Sequence, residues 1–193
     1  MNMTHLRGNL DKIGVIHGRF QGLHLGHMEY LIEGMKRCEF LYIGITNYEP
    51  SQNLKKINLA NRERTSKNSN PFSFYQRFEM IRGSLFEENH NYNDKYAIIP
   101  FPIETPSSIF NFSPKDATYY ITIYDSWGHE KKRILEKLGC KVNVMWTRDY
   151  SQRFTSGTEL RERIRLGREW KELVPKYVYD YITNNKLDKL LRK

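Results

Sequence analysis

The chain has 193 residues, of which 39% are hydrophobic and 27% charged: enough for one domain with a real core, too short for two comfortable ones. No run approaches the roughly 18 apolar residues that cross a bilayer, and the start, MNMTHLRGNLDK, lacks the apolar centre of a signal peptide, so a soluble cytoplasmic protein without a membrane partner is expected. A formal charge of +9 favours a polyanionic partner, while two well-separated cysteines, Cys38 and Cys140, exclude a CxxC zinc or redox motif.

The first predicted element is the β-branched run KIGVIH (Lys12 to His17), a buried strand. HMEYLIEGMKRC follows with Met28, Leu31, Ile32 and Met35 at helical spacing. Between them lies GRFQGLHLGH, residues 18–27, with three glycines and two histidines on a strand-to-helix turn. Gly18, Gly22 and Gly26 let backbone amides approach a ligand, and the positive end of the helix points at the same spot, which together make an anion site. His24 and His27 can project to one side there and donate hydrogen bonds to phosphate oxygens. A bound polyphosphate would favour their charged form. For either histidine alone a structural role is the better reading; for the whole decapeptide it is not. The dinucleotide GxGxxG and the Walker GxxxxGK[ST] are both absent, and no further zinc ligand is close in sequence.

A second strand, EFLYIGIT, completes a βαβ unit. Residues 47–72 are polar, without periodicity, and read as a long loop whose lysines and arginines could close over a ligand. FSFYQRFEMIRGSLFEEN is an amphipathic helix with Phe74, Phe78, Ile81 and Leu85 on one face. Three more strands, KYAIIPF, ATYYITIY and KVNVMW, flank the helix HEKKRILEKLG, and two helices close the chain within residues 157–193. The pattern predicts a single α/β domain over residues 1–193, with an extension at 1–11. Its fold would be a Rossmann-like, open, mostly parallel five-stranded sheet with helices on both faces and a ligand at the carboxyl ends of the strands. Near its end, Ser156, Gly157 and Thr158 would cap a helix and offer hydroxyls and amides to phosphate, with Arg161 one turn on. No DNA- or RNA-binding motif appears, which weighs against nucleic acid as the partner.

GRFQGLHLGH resembles the signature of the HxGH nucleotidylyltransferases, in particular the archaeal-type nicotinamide mononucleotide adenylyltransferases. NPFSFYQRFEMI, YAIIPFP and TSGTELRERIRLGREWKELVPKYVYDYI are similar to that family's later segments, in the same order from about Ile13 to Ile182. The resemblance implies transfer of a nucleotidyl group from a nucleoside triphosphate to a phosphorylated small molecule, with pyrophosphate released. ATP and nicotinamide mononucleotide are the first expectation. CTP with a different phosphate or phosphonate acceptor is the alternative, and a non-catalytic nucleotide- or nucleic-acid-binding protein is the reading from another class.

By position, the resemblance implies that His24 and His27 hold the triphosphate and stabilise the transition state, with Arg19 placing the acceptor phosphate. Ser156, Thr158 and Arg161 would grip the β- and γ-phosphates, and Gly18, Phe20 and Gly26 would shape the nucleotide site. Mg²⁺ would be held mainly through the triphosphate and water, with no metal ligands from the chain. The segment FPIETPSSIF departs from the family's IPDIEFNSIW: Phe110 replaces a tryptophan and can still stack on the acceptor, while Ile103 and Ser107 fall where aspartate and asparagine stand. Trp127, in YDSWGHEKK, is expected in the base pocket, so adenine and cytosine stay open. The resemblance also leaves a homo-oligomer open.

Overall fold

The structure, a computed structural model, describes residues 10–48 and 69–192. Most of the predicted 1–11 extension and residues 49–68 of the predicted loop lie outside the described residues. Five strands, β1 (Asp11–Gly18), β2 (Cys38–Ile45), β3 (Tyr96–Pro100), β4 (Thr118–Ile123) and β5 (Lys141–Thr147), form one sheet in the order β3-β2-β1-β4-β5. Every neighbouring pair is parallel. The predicted strands are the observed ones, displaced by a residue or so at their ends.

Alternation along β1 divides the interior into two cores. Ile16 points to one, which α1 (Leu25–Met35), α2 (Phe74–Glu87), α4 (Gly157–Arg165) and α5 (Lys176–Asn184) cover with Leu31, Ile81, Leu160 and Val178. Val15 points to the other, closed by α3 (Ser126–Lys137) and the short 3₁₀ turn Pro106–Asn111 through Leu135 and Ile109. Fully buried side chains such as Leu31 and Leu41 each contribute about 2 kcal/mol by leaving water.

Two helices differ from the periodicity. The third starts at Ser126, earlier than HEKKRILEKLG implies, because the Asp125 carboxylate accepts the Gly128 N–H at 2.9 Å and caps it. In α2 the buried residues include Arg77, Met80, Ile81 and Leu85, whereas Phe74 and Phe78 are only partly buried. The helix is turned so that the Arg77 guanidinium reaches main-chain carbonyls under its first turn.

From β1 the chain works outward to β3, returns to β4 beside β1, and works outward again to β5. The order therefore reverses between β1 and β4, and a crevice opens at their carboxyl ends.

Candidate active site

A cavity of about 1190 Å³ occupies that crevice, and GRFQGLHLGH forms its floor. After Arg19, Phe20 takes φ = 50°, in the left-handed region, and folds its ring back under the turn, fully buried. A Cβ on Gly18 would meet that ring at 3.0 Å. Gln21 fastens the turn to the segment before α2: its amide donates to the Phe72 carbonyl and its Oε1 accepts the Phe72 N–H, each at 2.9 Å. Arg77, fully buried, donates to the carbonyls of Arg19, Thr46 and Asn47 at 2.8, 2.7 and 2.8 Å. One guanidinium thus ties the end of β1 to the end of β2.

His24 is the N-cap of α1, and its Nδ1 accepts the His27 N–H at 3.3 Å. The two imidazoles stack with centroids 3.7 Å apart, and Phe20 packs edge-on against His27 at 5.0 Å. Across the cavity Ser156 caps α4, accepting the Glu159 N–H at 3.1 Å. The helix starts face one space. The Thr155 carbonyl lies 3.7 Å from where a Gly26 Cβ would stand, and a Gly157 Cβ would sit 2.8 Å from the Gln21 carbonyl. Arg161 closes the gap by donating to the Gln21 carbonyl and to Thr158 Oγ1. Gly18, Arg19, Phe20, His24, Gly26, His27, Ser156, Thr158 and Arg161 all line this one cavity.

Burial, together with Arg153 and Arg161, pushes His24 down to about 3, and burial with His24 and the neighbouring arginines holds His27 well below the usual histidine range. Both rings are therefore neutral at pH 7 in the ligand-free cavity. Its positive charge comes from arginines. Arg161, lowered by burial only to about 10, stays protonated. Arg153 lies between the rings of Tyr124 and Tyr150, 3.9 and 4.0 Å from their centroids, and its Nε is buried without a hydrogen-bond partner among the described residues.

On the β4–β5 side the wall is aromatic: Trp127, Tyr124, Trp146 and Tyr150 all face the cavity, with the Trp146 indole donating to Tyr124 Oη at 2.8 Å. Trp127 thus belongs both to the first turn of α3 and to the cavity wall. On the β3 side the wall is Ile103, Glu104 and Pro106. Ser107 and Phe110 stand outside the lining: Ser107 is exposed, and Phe110 packs on the second core with Lys115 over its ring at 5.8 Å.

Gln21, Arg77, Arg153 and His17 are the cavity and support residues whose roles the sequence reading missed. Arg77 left a signal, since it sits three residues after Phe74 and four before Ile81, on the apolar stripe of its helix. Arg153 left none, because one of its two ring partners, Tyr124, is 29 residues away and Tyr150 alone marks no site. Among the described residues no cluster of three or more His, Cys, Asp or Glu could hold a metal. Glu29 is engaged by Arg148 at 2.9 and 3.0 Å, and Asp125 caps α3. A cradle of N–H donors and guanidinium groups fits a metal carried in on phosphate oxygens.

Comparison with known proteins gives the family of the chain. A family model described as cytidylyltransferase-like matches residues 15–163. The phosphonoformate cytidylyltransferase of Streptomyces viridochromogenes is 39% identical over 179 residues, covering 93% of this chain and 95% of that protein. The nicotinamide-nucleotide adenylyltransferases of Saccharolobus solfataricus and Thermococcus kodakarensis are 29% and 30% identical, covering 93% and 89% of this chain and 95% and 82% of theirs. Among solved structures, a bifunctional NMN adenylyltransferase/ADP ribose pyrophosphatase from Francisella tularensis shares the fold, with a TM-score of 0.64 at 20% identity over 95% of this chain and 51% of that one.

Proposed function

The chain belongs to the cytidylyltransferase-like family and is a nucleotidylyltransferase, and from that premise we propose that it transfers CMP from CTP to a small phosphonate or phosphate acceptor. One observation carries the transfer: two helix N-termini, stacked His24 and His27, and Arg161 surround a single cavity at the β1–β4 switch point. An acceptor oxygen attacks the α-phosphorus, the bond to the bridging oxygen breaks, and pyrophosphate leaves with its electron pair. The protein contributes positioning and charge neutralisation, with no covalent intermediate. The N–H groups of His24 and His27 meet the oxygens on which charge develops, while Ser156, Thr158 and Arg161 hold the β- and γ-phosphates and Arg19 holds the acceptor. Mg²⁺ on the triphosphate would supply further charge neutralisation.

The small acceptor is supported by near full-length similarity to the phosphonoformate enzyme and by a β3-side wall built from Ile103, Glu104 and Pro106. Among the described residues that wall presents no phenyl or indole ring for nicotinamide. ATP with nicotinamide mononucleotide is the second reading, favoured by the adenylyltransferase relatives. Pyrophosphate release from CTP and ATP, each paired with phosphonoformate and with nicotinamide mononucleotide, separates the two. CTP with phosphonoformate is expected to give the highest kcat/KM. Dominance of ATP with nicotinamide mononucleotide would move the assignment to the second reading, and no release from any pair would defeat transfer itself.

A further inference from the structure

His17 ends the apolar run of β1, is 2% exposed, and lines the cavity. Both of its ring nitrogens are buried without a hydrogen-bond partner among the described residues. Buried polar atoms are seldom left so, and a donor nitrogen at the cavity is best explained by a ligand oxygen that accepts from it. The ring is fixed in place, lying almost flat on Phe101 with centroids 4.5 Å apart and 12° between planes. Strand alternation sets its direction: Val15 and, two residues on, His17 face the second core beside Phe101 and Ile103, whereas α1, which carries His24 and His27, covers the first. On the proposed reading the phosphates lie above one face of the sheet, and His17 stands on the other.

We infer that His17 is the specificity residue for the acceptor, hydrogen-bonding an oxygen function on the end remote from the nucleotide, a carboxylate or carbonyl close to phosphorus. The inference rests on the nucleotidyl-transfer reading for its chemistry and deepens it by naming the acceptor class. A neutral imidazole presents one N–H and one lone pair; an oxygen-bearing tail accepts the N–H and leaves the lone pair to water, whereas a bare alkyl tail leaves the N–H without an acceptor. The electrostatic influence of Lys131 reaches the same ring, which favours an anionic oxygen there. A site built to hydrogen-bond its substrate discriminates strongly against the analogue that lacks the bonding group.

Direct titration calorimetry of the full chain tests this without requiring turnover. Wild type is expected to bind phosphonoformate at least about tenfold more tightly than methylphosphonate, which keeps the phosphorus group and lacks the carboxylate. His17→Phe, which preserves the stack on Phe101, should abolish that preference while changing CTP affinity by less than about twofold, and His17→Gln should restore part of it. If His17→Phe does not fold, the wild-type preference and its size in His17→Gln still decide the matter. Equal binding of both phosphonates by wild type, an undiminished preference in the variants, or a parallel loss of CTP affinity would overturn the inference. A His17-dependent preference without pyrophosphate release in any assay would instead overturn the transfer reading and leave His17 assigned.

Discussion

The two signature histidines combine low exposure with a proposed role in charge stabilisation. The amide of His27 donates to His24 Nδ1, so the neutral His24 ring carries its proton on Nε2. Neutral donors suit an oxygen that gains charge only in the transition state, because they add no fixed charge to bind the ground state more tightly. Charge for the ground state is left to Arg19, Arg153 and Arg161. His27→Ala is accordingly expected to lower kcat on the order of a hundredfold with a small change in the KM for CTP, measured by pyrophosphate release. A near-wild-type kcat would make His27 a packing residue held by Phe20.

Two elements, α1 and α4, supply the helix starts of the proposed anion site, and a third holds the turn before the first one. Arg77 of α2 bonds the carbonyls of Arg19, Thr46 and Asn47 and, through Nε, that of Ser73 at 3.2 Å. The capping box of Ser73 with Gln76 anchors the helix that delivers it. Burial lowers this guanidinium only to about 10, so it remains charged at physiological pH behind the cavity-lining residues Arg19, Thr46 and Asn47. Arg77→Met would leave buried carbonyls unpaired and is expected to cost about 3 kcal/mol in urea unfolding. Its kcat should also fall, since the turn bearing Arg19 loses its tie to β2. Unchanged stability in that variant would show the carbonyls repairing themselves with water.

Across the whole molecule, the cavity concentrates three histidines at the sheet's switch point, His17 and His24 buried and His27 partly so, and this has a consequence for acid stability. Burial lowers His17, His24 and His27, with His24 reaching about 3 against an unfolded value of 6.5. Between those limits the unfolded chain binds protons that the folded chain refuses. Stability is therefore full above about pH 6.5 and falls as the pH drops toward 3, each histidine adding about 1.4 kcal/mol per pH unit well inside the window. Urea unfolding from pH 7 to pH 5 should show this decline, and His17→Phe should flatten it by about one histidine's share. An identical slope in the variant would mean that His17 takes up its proton in the folded state.

By itself the sequence determined the alternation of five strands and five helices, and hence the parallel sheet, because hydrophobic period and cap residues are local properties. It also marked the residues at 18–27 and 156–161 that the fold brings to one cavity, since glycine clearance, helix starts and hydroxyl caps are all written within ten residues. Only the tertiary structure decided what stands between those motifs. The support by Gln21 and Arg77 and the stacking of Arg153 on Tyr124 join residues up to 58 apart. The acceptor wall likewise depends on where the turn after β3 folds, which put Ile103 and Glu104 on the cavity and Phe110 in the second core. Spacing fixes which atoms a single turn can present, but burial and the approach of distant strands fix which of them keep a free hydrogen bond for the substrate.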